Sequence, residues 1–142
     1  MGVSITCKNP IYDFDMGYGS FASLRKNIAL AIDREFGELY NKFIHCFIVE
    51  DRRNIIRETN AYIDQHPEIF TDELHDVMDF LYAPDCEGKI NYKTCGKIYD
   101  IIKDVDFGEK AFRYAYESHN DYKEFKEFLK DCYSHRKNMT WY

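Results

Sequence analysis

The two ends of the chain share one pattern, an alternation of apolar and polar residues that is typical of β-strands with one buried face. Residues 3–7 and 12–16 both alternate, and Asn9-Pro10 between them is a turn signal. Near the other end, Met139 and Trp141 alternate again and would be costly to leave in water. The pattern predicts an N-terminal β-hairpin joined by a C-terminal strand, with Trp141 buried against the hairpin.

Between these strands, apolar residues recur every three or four positions, which predicts about five amphipathic helices. The first is expected to run without a break from Ser20 to Phe43. The second is expected to end at His66-Pro67, because the residue before a proline disfavours helix. The predicted helix-initiating residues are Ser20, Asp51, Thr71, Asn91 and Asn120. The predicted fold class is α+β, with about five helices packed on a small antiparallel sheet in one globular domain over residues 1–142.

For some segments the sequence allows two secondary structures, and for others it predicts a helix end or a buried helix face. The apolar run 44–49 is either a continuation of the first helix or a buried connection, and residues 111–116 are either a strand or a helical turn. The fourth helix is expected to end at Asp106-Phe107-Gly108. In the second helix, the apolar stripe that includes Ile56 and Ile63 is expected to face the core.

Composition and charge narrow the class of protein. The 142 residues are 45% hydrophobic and 17% aromatic, with few glycines and prolines, which favours an aromatic-rich core over disorder. An odd number of cysteines, five, and the lack of a charged leader or a long apolar run predict a soluble cytoplasmic protein with reduced thiols and no membrane segment. The net charge of −6 disfavours direct nucleic-acid binding through phosphate contacts. The paired basic residues, such as Arg25-Lys26, are expected to be solvated.

The acidic residues are concentrated in one segment. Between Glu58 and Gly88 there are nine acidic residues and no lysine or arginine, whereas the rest of the chain holds 19 basic and 16 acidic residues. Such an asymmetry steers association with an oppositely charged surface. The segment is expected to be largely helical and to bind a protein partner through Glu68, Asp72, Glu73, Asp76, Asp79, Asp85 and Glu87.

The run Gly17-Tyr18-Gly19-Ser20 lies between a predicted strand and a predicted helix and, with Ala22, fits the dinucleotide-binding fingerprint. The acids in the preceding strand disfavour a pyrophosphate there, so the glycines are explained more simply by a strand-to-helix turn. A third interpretation is that the free N–H groups of the first helix turn bind a phosphate or another anion.

Asp13 and Asp15 fall on one face of the second predicted strand, as paired carboxylates do in metal-dependent hydrolases and transferases. Alternating charge on the solvent face of an edge hairpin is the simpler explanation of them. The cysteines and histidines show neither zinc-ligand spacing nor a nucleophile beside a base. The sequence therefore assigns no catalytic residue, no metal ligand and no cofactor.

Residues 85–91 resemble the centre of an EF-hand loop, with Gly88 at the position of the sharp turn. Ala83 and Thr94 occupy the first and twelfth positions, where calcium needs an acid and a bidentate glutamate. We therefore expect no calcium binding, and a tight helix–loop–helix turn that uses the conformational freedom of Gly88.

Four blocks stand out across nearly the whole chain: residues 1–5 with 15–19 and Phe21, residues 79–82 with 85–90, residues 98–100 with 103–104, and residues 131–132 with Met139 and Trp141. Together they resemble a family of small uncharacterised proteins from phages, prophages and other mobile elements of low-GC Gram-positive bacteria. The resemblance brings no assigned activity and no catalytic residue. It implies a context in which small accessory proteins bind and inhibit host or defence components.

Three functional hypotheses follow, and the oligomeric state stays open. The first is a non-enzymatic interaction protein, a phage-type accessory factor that inhibits a host or defence protein through its acidic surface, with imitation of nucleic acid as one route. The second is a small-ligand binder that sequesters a phosphate-bearing nucleotide signal at Gly17 to Ser20. The third is a metal-dependent hydrolase or transferase that uses Asp13 and Asp15.

Overall fold

The computed structural model describes residues 2–8, 11–105 and 119–142, and it confirms the α+β class. The described residues form six α-helices and four strands. In chain order the elements are β1 (Gly2–Lys8), β2 (Ile11–Gly17), α1 (Tyr18–Ile32), α2 (Arg34–Ile44), α3 (Val49–Gln65), a 3-10 turn (Asp72–Leu74), α4 (His75–Tyr82), β3 (Gly88–Ile90), α5 (Tyr92–Ile102), α6 (His119–Ser134) and β4 (Met139–Trp141).

The strands form one antiparallel sheet in the order β2-β1-β4-β3. The hairpin and the C-terminal strand are as predicted, since β4 pairs with β1 with Ile5 opposite Trp141. The third strand, β3, was not predicted, and it lies on the other side of β4 with Gly88 also opposite Trp141. The central strands carry buried apolar residues on the face that meets the helices: Val3, Ile5, Cys7, Met139 and Trp141.

The expected single long helix is two helices, which is why six occur instead of about five. Asp33 has an extended backbone, and its carboxylate accepts a hydrogen bond from the N–H of Phe36 at 3.0 Å, so it ends α1 and caps α2. Gly37 lets the first turn of α2 pass against Leu30 of α1, because a Cβ at Gly37 would lie only 2.5 Å from that side chain. The two helices therefore fold back on each other in place of one continuous rod.

Several predicted helix starts are corrected. Gly17, and not Ser20, is the N-cap of α1, and Ser20 lies buried inside the helix. α3 begins at Val49 with Ile48 as its N-cap, so Asp51 lies in the first helical turn. Thr71 precedes the 3-10 turn without a side-chain capping bond. Asn91 is confirmed, because its side chain accepts from the N–H of Lys93 at 2.7 Å.

Other helix ends are close to prediction. α3 ends at Gln65, directly before His66-Pro67, as expected. The described part of α6 begins at His119, one residue before the predicted Asn120. The fourth predicted helix, α5, ends at Ile102. The predicted terminator 106–108 and the ambiguous stretch 111–116 lie outside the described residues.

The core lies between the sheet and the helices, and three thiols meet inside it. Cys7 of β1, Cys95 of α5 and Cys132 of α6 are all buried, and they are free thiols as small core residues would be. A hydrogen bond to Cys95, together with burial, raises the pKa of the Cys132 thiol. That thiol stays neutral, which is the unreactive form of a cysteine.

Candidate functional site

The seven acidic residues predicted to bind a partner are all exposed. They lie in the connection after α3, in the 3-10 turn, along α4 and in the loop that follows it: Glu68, Asp72, Glu73, Asp76, Asp79, Asp85 and Glu87. Helical structure covers residues 58–65 and 72–82 of the acidic segment. Asp76 is partly neutralised, because Lys97 of α5 reaches it at 3.3 Å. The other six acids, together with Asp76, form a negatively charged surface, which we call the acidic face.

A buried arginine of α1, Arg25, binds the end of α4 and so anchors the loop that carries Asp85 and Glu87. Arg25 is only 4% exposed, which contradicts the expectation of a solvated basic pair. Its Nη1 donates to the carbonyl oxygens of Phe80, Leu81 and Ala83 at 3.2, 3.1 and 2.6 Å. Carbonyls at a helix end lack the partners of a full helical turn, and here the Phe80 carbonyl has besides Arg25 only the N–H of Ala83 at 3.4 Å. The guanidinium also complements the negative end of the helix dipole.

Burial shifts the pKa values of two side chains in this cluster. Removal from water lowers the pKa of Arg25, whereas the nearby Tyr40 and Asp85 act in the opposite direction. The hydroxyl of Tyr40 donates to the carbonyl of Leu81 at 2.7 Å, and burial raises the pKa of Tyr40 to about 12. The cluster therefore holds the neutral phenol of Tyr40 and fixes the end of α4 from two sides.

We expect the protein to lose stability as the pH rises from about 10 to 12, in part through Tyr40. The pKa of Tyr40 is about 12 in the folded chain and about 10 when unfolded. The folded chain therefore binds more protons in that window, and its stabilisation is complete below pH 10 and lost above pH 12. Two pKa units correspond to about 2.7 kcal/mol.

Urea unfolding of the wild type and of Tyr40→Phe at several pH values from 9 to 12 tests this. The Phe variant should be less stable at pH 9, because it lacks the bond to Leu81, and should show a shallower loss toward pH 12. Tyr142→Phe, at a 64% exposed position, is the control. Parallel pH dependence of wild type and Tyr40→Phe would contradict the assignment.

A groove lies between α3 and α4, beside the acidic face. Its volume is about 320 Å³, and its lining comes from α2, α3 and α4: Phe43, Ile56, Thr59, Asn60, Ile63, Met78 and Tyr82. The rings of Phe43 and Tyr82 meet edge to face with centroids 5.3 Å apart and form one end of the groove. Arg52 covers the ring of Phe43, with its Cζ 4.3 Å from the ring centroid. The walls are thus largely apolar and open to solvent.

Exposed apolar residues also occur at the start of α3. Phe47, Ile48 and Val49 are 86%, 65% and 66% exposed, so the run 44–49 is neither a helix continuation nor a buried connection as expected. Val49, Ile56 and Ile63 recur every seven residues and share one stripe of α3. We call this stripe, with Phe47, Ile48 and the groove, the apolar surface.

α3 itself is little buried for a helix of its length. Of its 17 residues, all of which the structure describes, Thr59 alone is fully buried. Ile56 was expected to face the core but is 42% exposed, whereas Ile63 is partly buried as expected. Tyr62 ties the helix to the rest of the fold, because its hydroxyl donates to the carboxylate of Asp33 at 2.7 Å. The stripe is therefore covered by the core at Ile63, whereas at Val49 and Ile56 it is exposed in the described structure.

The predicted turn Gly17-Tyr18-Gly19-Ser20 is present but differs from an exposed anion site. Gly17 caps α1 with an extended backbone and no side-chain bond. Ser20 is 1% exposed, and its hydroxyl has no hydrogen-bond partner among the described residues. Only the backbone N–H groups of the first turn are left to meet an anion from the solvent.

The carboxylate pair of β2 is described in part. Asp15 is exposed and accepts a hydrogen bond from the Ser4 hydroxyl at 2.5 Å across the β1–β2 pair. The backbone of Asp13 pairs with Thr6, and its side chain lies outside the described residues. Over the described part of the chain, no group of three or more His, Cys, Asp or Glu side chains is placed to hold a metal ion.

Gly88 has a role other than the expected turn. It begins β3, and a Cβ at this position would overlap the ring of Trp141. The residue is glycine because the indole packs directly on the strand backbone. The resemblance to an EF-hand loop therefore has a packing cause, since Gly88 makes room for an aromatic ring.

Comparison of the chain with protein-family models, with curated proteins and with solved structures finds no match. No described helix is both long enough and apolar enough to cross a membrane.

Proposed function

We propose that this protein is a non-enzymatic interaction protein whose docking site is the apolar surface together with the adjoining acidic face. The observation that carries the proposal is the exposed part of the apolar stripe of α3, Val49 and Ile56. The exposed Phe47 and Ile48 precede it in the chain, and Ile56 also lines the groove beside Phe43. Exposed apolar area of this kind, rimmed by charge, marks protein interaction sites in soluble proteins. The stripe follows one helix, so the partner segment it fits is itself elongated.

The charge around the groove defines the chemistry of the partner. Asp79 on α4 is exposed and lies one residue from Met78 and three from Tyr82, which both line the groove. Asp85 and Glu87 continue the negative charge in the loop that Arg25 anchors. The partner segment is therefore an amphipathic helix with an apolar ridge for the groove and lysine or arginine along the side that meets α4.

The resemblance to proteins of phages and mobile elements supports a specific use for this binding. We propose that the partner is a cytoplasmic host or defence protein that the binding inhibits. A basic helix that normally contacts nucleic acid has the charge and shape that this site requires. Imitation of nucleic acid would then come from the acidic face, and the apolar groove would add the affinity that charge alone does not give.

The two alternative functions have weaker support. A small-ligand site at Gly17 to Ser20 lacks an accessible serine hydroxyl, because Ser20 is buried. A metal-dependent active site at Asp13 and Asp15 has in Asp15 a carboxylate already bonded to Ser4. We therefore rank both alternatives below the proposal of an interaction protein.

The docking site is tested with a synthetic helix of 17 residues, or about 26 Å, the length of α3. The probe carries leucine at every third or fourth position and lysine on the adjoining side. Val49→Ser with Ile56→Ser should weaken binding by about 5- to 30-fold at any salt concentration, because partly exposed apolar contacts are lost. Asp79→Asn with Asp85→Asn should weaken binding severalfold at low salt and little at high salt, since surface charges are screened.

Two matched controls make the result specific. Tyr142→Ser removes an equally exposed apolar side chain, and Glu127→Gln removes an exposed acid on α6, both away from the groove. Equal loss in these controls would show non-specific attraction and contradict the docking site. Size-exclusion chromatography with light scattering is run in parallel. Self-association that Val49→Ser abolishes would mean that a second copy covers the surface, which also contradicts the proposal.

A further inference from the structure

A second groove lies between α5 and α6 and, unlike the acidic face, is lined mainly by basic residues. It measures about 880 Å³ and lies where α5 begins and α6 ends. Four cations line it, Lys93 and Lys97 from α5 with Lys130 and Arg136 from the α6 side, against one acid, Asp100. This is an unusual local excess in a chain in which 25 acidic residues outnumber 19 basic ones.

Among the described residues, three of the four cations have no acidic partner. Lys97 is held by Asp76 and by the carbonyl of Glu73. Lys93, Lys130 and Arg136 form no ion pair with any residue in the described ranges. Asp100, the acid in the lining, pairs with Lys103 at 3.5 Å. The groove therefore offers a net positive charge to an anion.

Aromatic rings accompany these cations. Tyr92, Tyr99 and Tyr133 line the same groove, and the rings of Tyr92 and Tyr133 lie with centroids 6.4 Å apart. Tyr133 is 53% exposed, yet its ring is fixed on the backbone of α5, because a Cβ at Gly96 would lie 2.5 Å from its Cδ2. A half-exposed ring beside cations that no described acid pairs with is the combination that stacks on the base of a nucleotide and binds its phosphates.

The backbone of Arg136 gives an independent indication that its side chain is used. Arg136 has φ 55°, in the left-handed region, and it occupies the position after the α6 C-cap where glycine is favoured. The surrounding bonds, from Lys137 N–H to Cys132 carbonyl at 2.9 Å and from Arg136 N–H to Tyr133 carbonyl at 3.2 Å, form a Schellman motif. An arginine in a backbone conformation that disfavours it points to a function for the guanidinium.

We infer that the groove between α5 and α6 binds a free nucleotide, with Lys93, Lys130 and Arg136 on the phosphates and the ring of Tyr133 against the base. The part of α5 in the groove, residues 92–100, spans about 12 Å, which suits one nucleotide better than a strand. The acidic face elsewhere on the molecule repels a long polyanion. The inference stands independently of the proposed docking site on α3.

The experiment is isothermal titration of the full chain with ATP, and separately with inorganic triphosphate and with a single-stranded oligonucleotide. We expect ATP to bind with a Kd of about 0.05–1 mM at low salt, from one stacking contact and three exposed cations. Tyr133→Leu should weaken ATP binding by about 5- to 50-fold and leave triphosphate binding unchanged. Lys130→Gln should weaken both by about 2- to 5-fold.

Arg136→Gly separates function from folding. Glycine relieves the left-handed backbone, so the melting temperature should rise by about 2–4 °C while ATP affinity falls. Arg34→Gln, at an exposed position on α2 outside the groove, is the control and should change neither. No heat of ATP binding at low salt, or equal loss in the control, would overturn the inference. Binding of the oligonucleotide alone, with affinity that grows with its length, would overturn it in favour of a single-strand site.

Discussion

Trp141→Ala should lower the free energy of unfolding by about 3–5 kcal/mol, a range typical of large aromatic residues truncated in a core. Trp141 is 2% exposed, and its ring meets Phe21 and Phe80 at centroid distances of 5.8 and 5.5 Å. Its indole N–H donates to the carbonyl of Pro84 at 3.0 Å. The side chain thus joins β4 to α1, α4 and the loop that carries Asp85. A domain of this size has a total stability of about 5–15 kcal/mol, so the variant should be close to unfolding.

Denaturant unfolding followed by far-UV circular dichroism measures the loss. The wild-type fluorescence should be blue-shifted, because the single tryptophan of the sequence is buried. Tyr142→Ala, one residue further and 64% exposed, should change stability by less than about 0.5 kcal/mol. Gly88→Ala offers a second test, since its Cβ would overlap the Trp141 ring and should also destabilise. Wild-type stability in Trp141→Ala would show that the C-terminal strand does not contribute to the core.

The sheet was largely predictable because its signal is local. Period-two alternation places Val3, Ile5 and Cys7 on one face without knowledge of the partner strand, and the structure buries all three. β3 was missed because three residues are too few to show a period. Its place in the sheet depends on pairing with β4, some 50 residues further along the chain.

The break between α1 and α2 shows a different limit of sequence patterns. The apolar period continues from Ile28 and Ile32 to Phe36, so the spacing alone predicts one helix. The sequence did contain a signal for the break. Asp33 is a residue type that often caps helices, and its carboxylate accepts a hydrogen bond from the N–H of Phe36, three residues later. The glycine at position 37, which permits close helix contact, pointed the same way.

The candidate sites were predicted only in part, for a physical reason. A stripe of apolar residues on α3 reads the same whether it meets the core or a partner, because periodicity reports which face is apolar and not what covers it. The exposed acids were predictable as a group, since charged residues are rarely buried. The basic groove was not, because Lys93 and Arg136 are distant in the sequence and only the packing of α5 on α6 brings them together.

Arg25→Met should lower the free energy of unfolding by about 2–4 kcal/mol, although it replaces a charged residue in the core by an apolar one. The change leaves the carbonyl of Ala83 without its donor, and an unsatisfied buried acceptor costs about 1–3 kcal/mol. The carbonyl of Phe80 keeps the backbone N–H of Ala83, and that of Leu81 keeps the hydroxyl of Tyr40. The change also removes the guanidinium from the face of Phe21, where its Cζ lies 4.5 Å from the ring centroid. Part of this loss is offset, because the variant no longer has to remove a guanidinium from water.

The balance between these two effects is what the measurement decides. Arg34→Met, at an exposed position, should stay within about 0.5 kcal/mol of the wild type. Arg25→Lys should recover part of the loss, because an ammonium still donates to the carbonyls but lacks the planar stacking surface. Hydrogen exchange should accelerate in residues 81–90 of Arg25→Met, since the end of α4 then depends on Tyr40 and Trp141 for its anchors. A variant more stable than the wild type would mean that the desolvation cost of the guanidinium exceeds its bonds, and that Arg25 is kept to position the acidic loop and not to stabilise the fold.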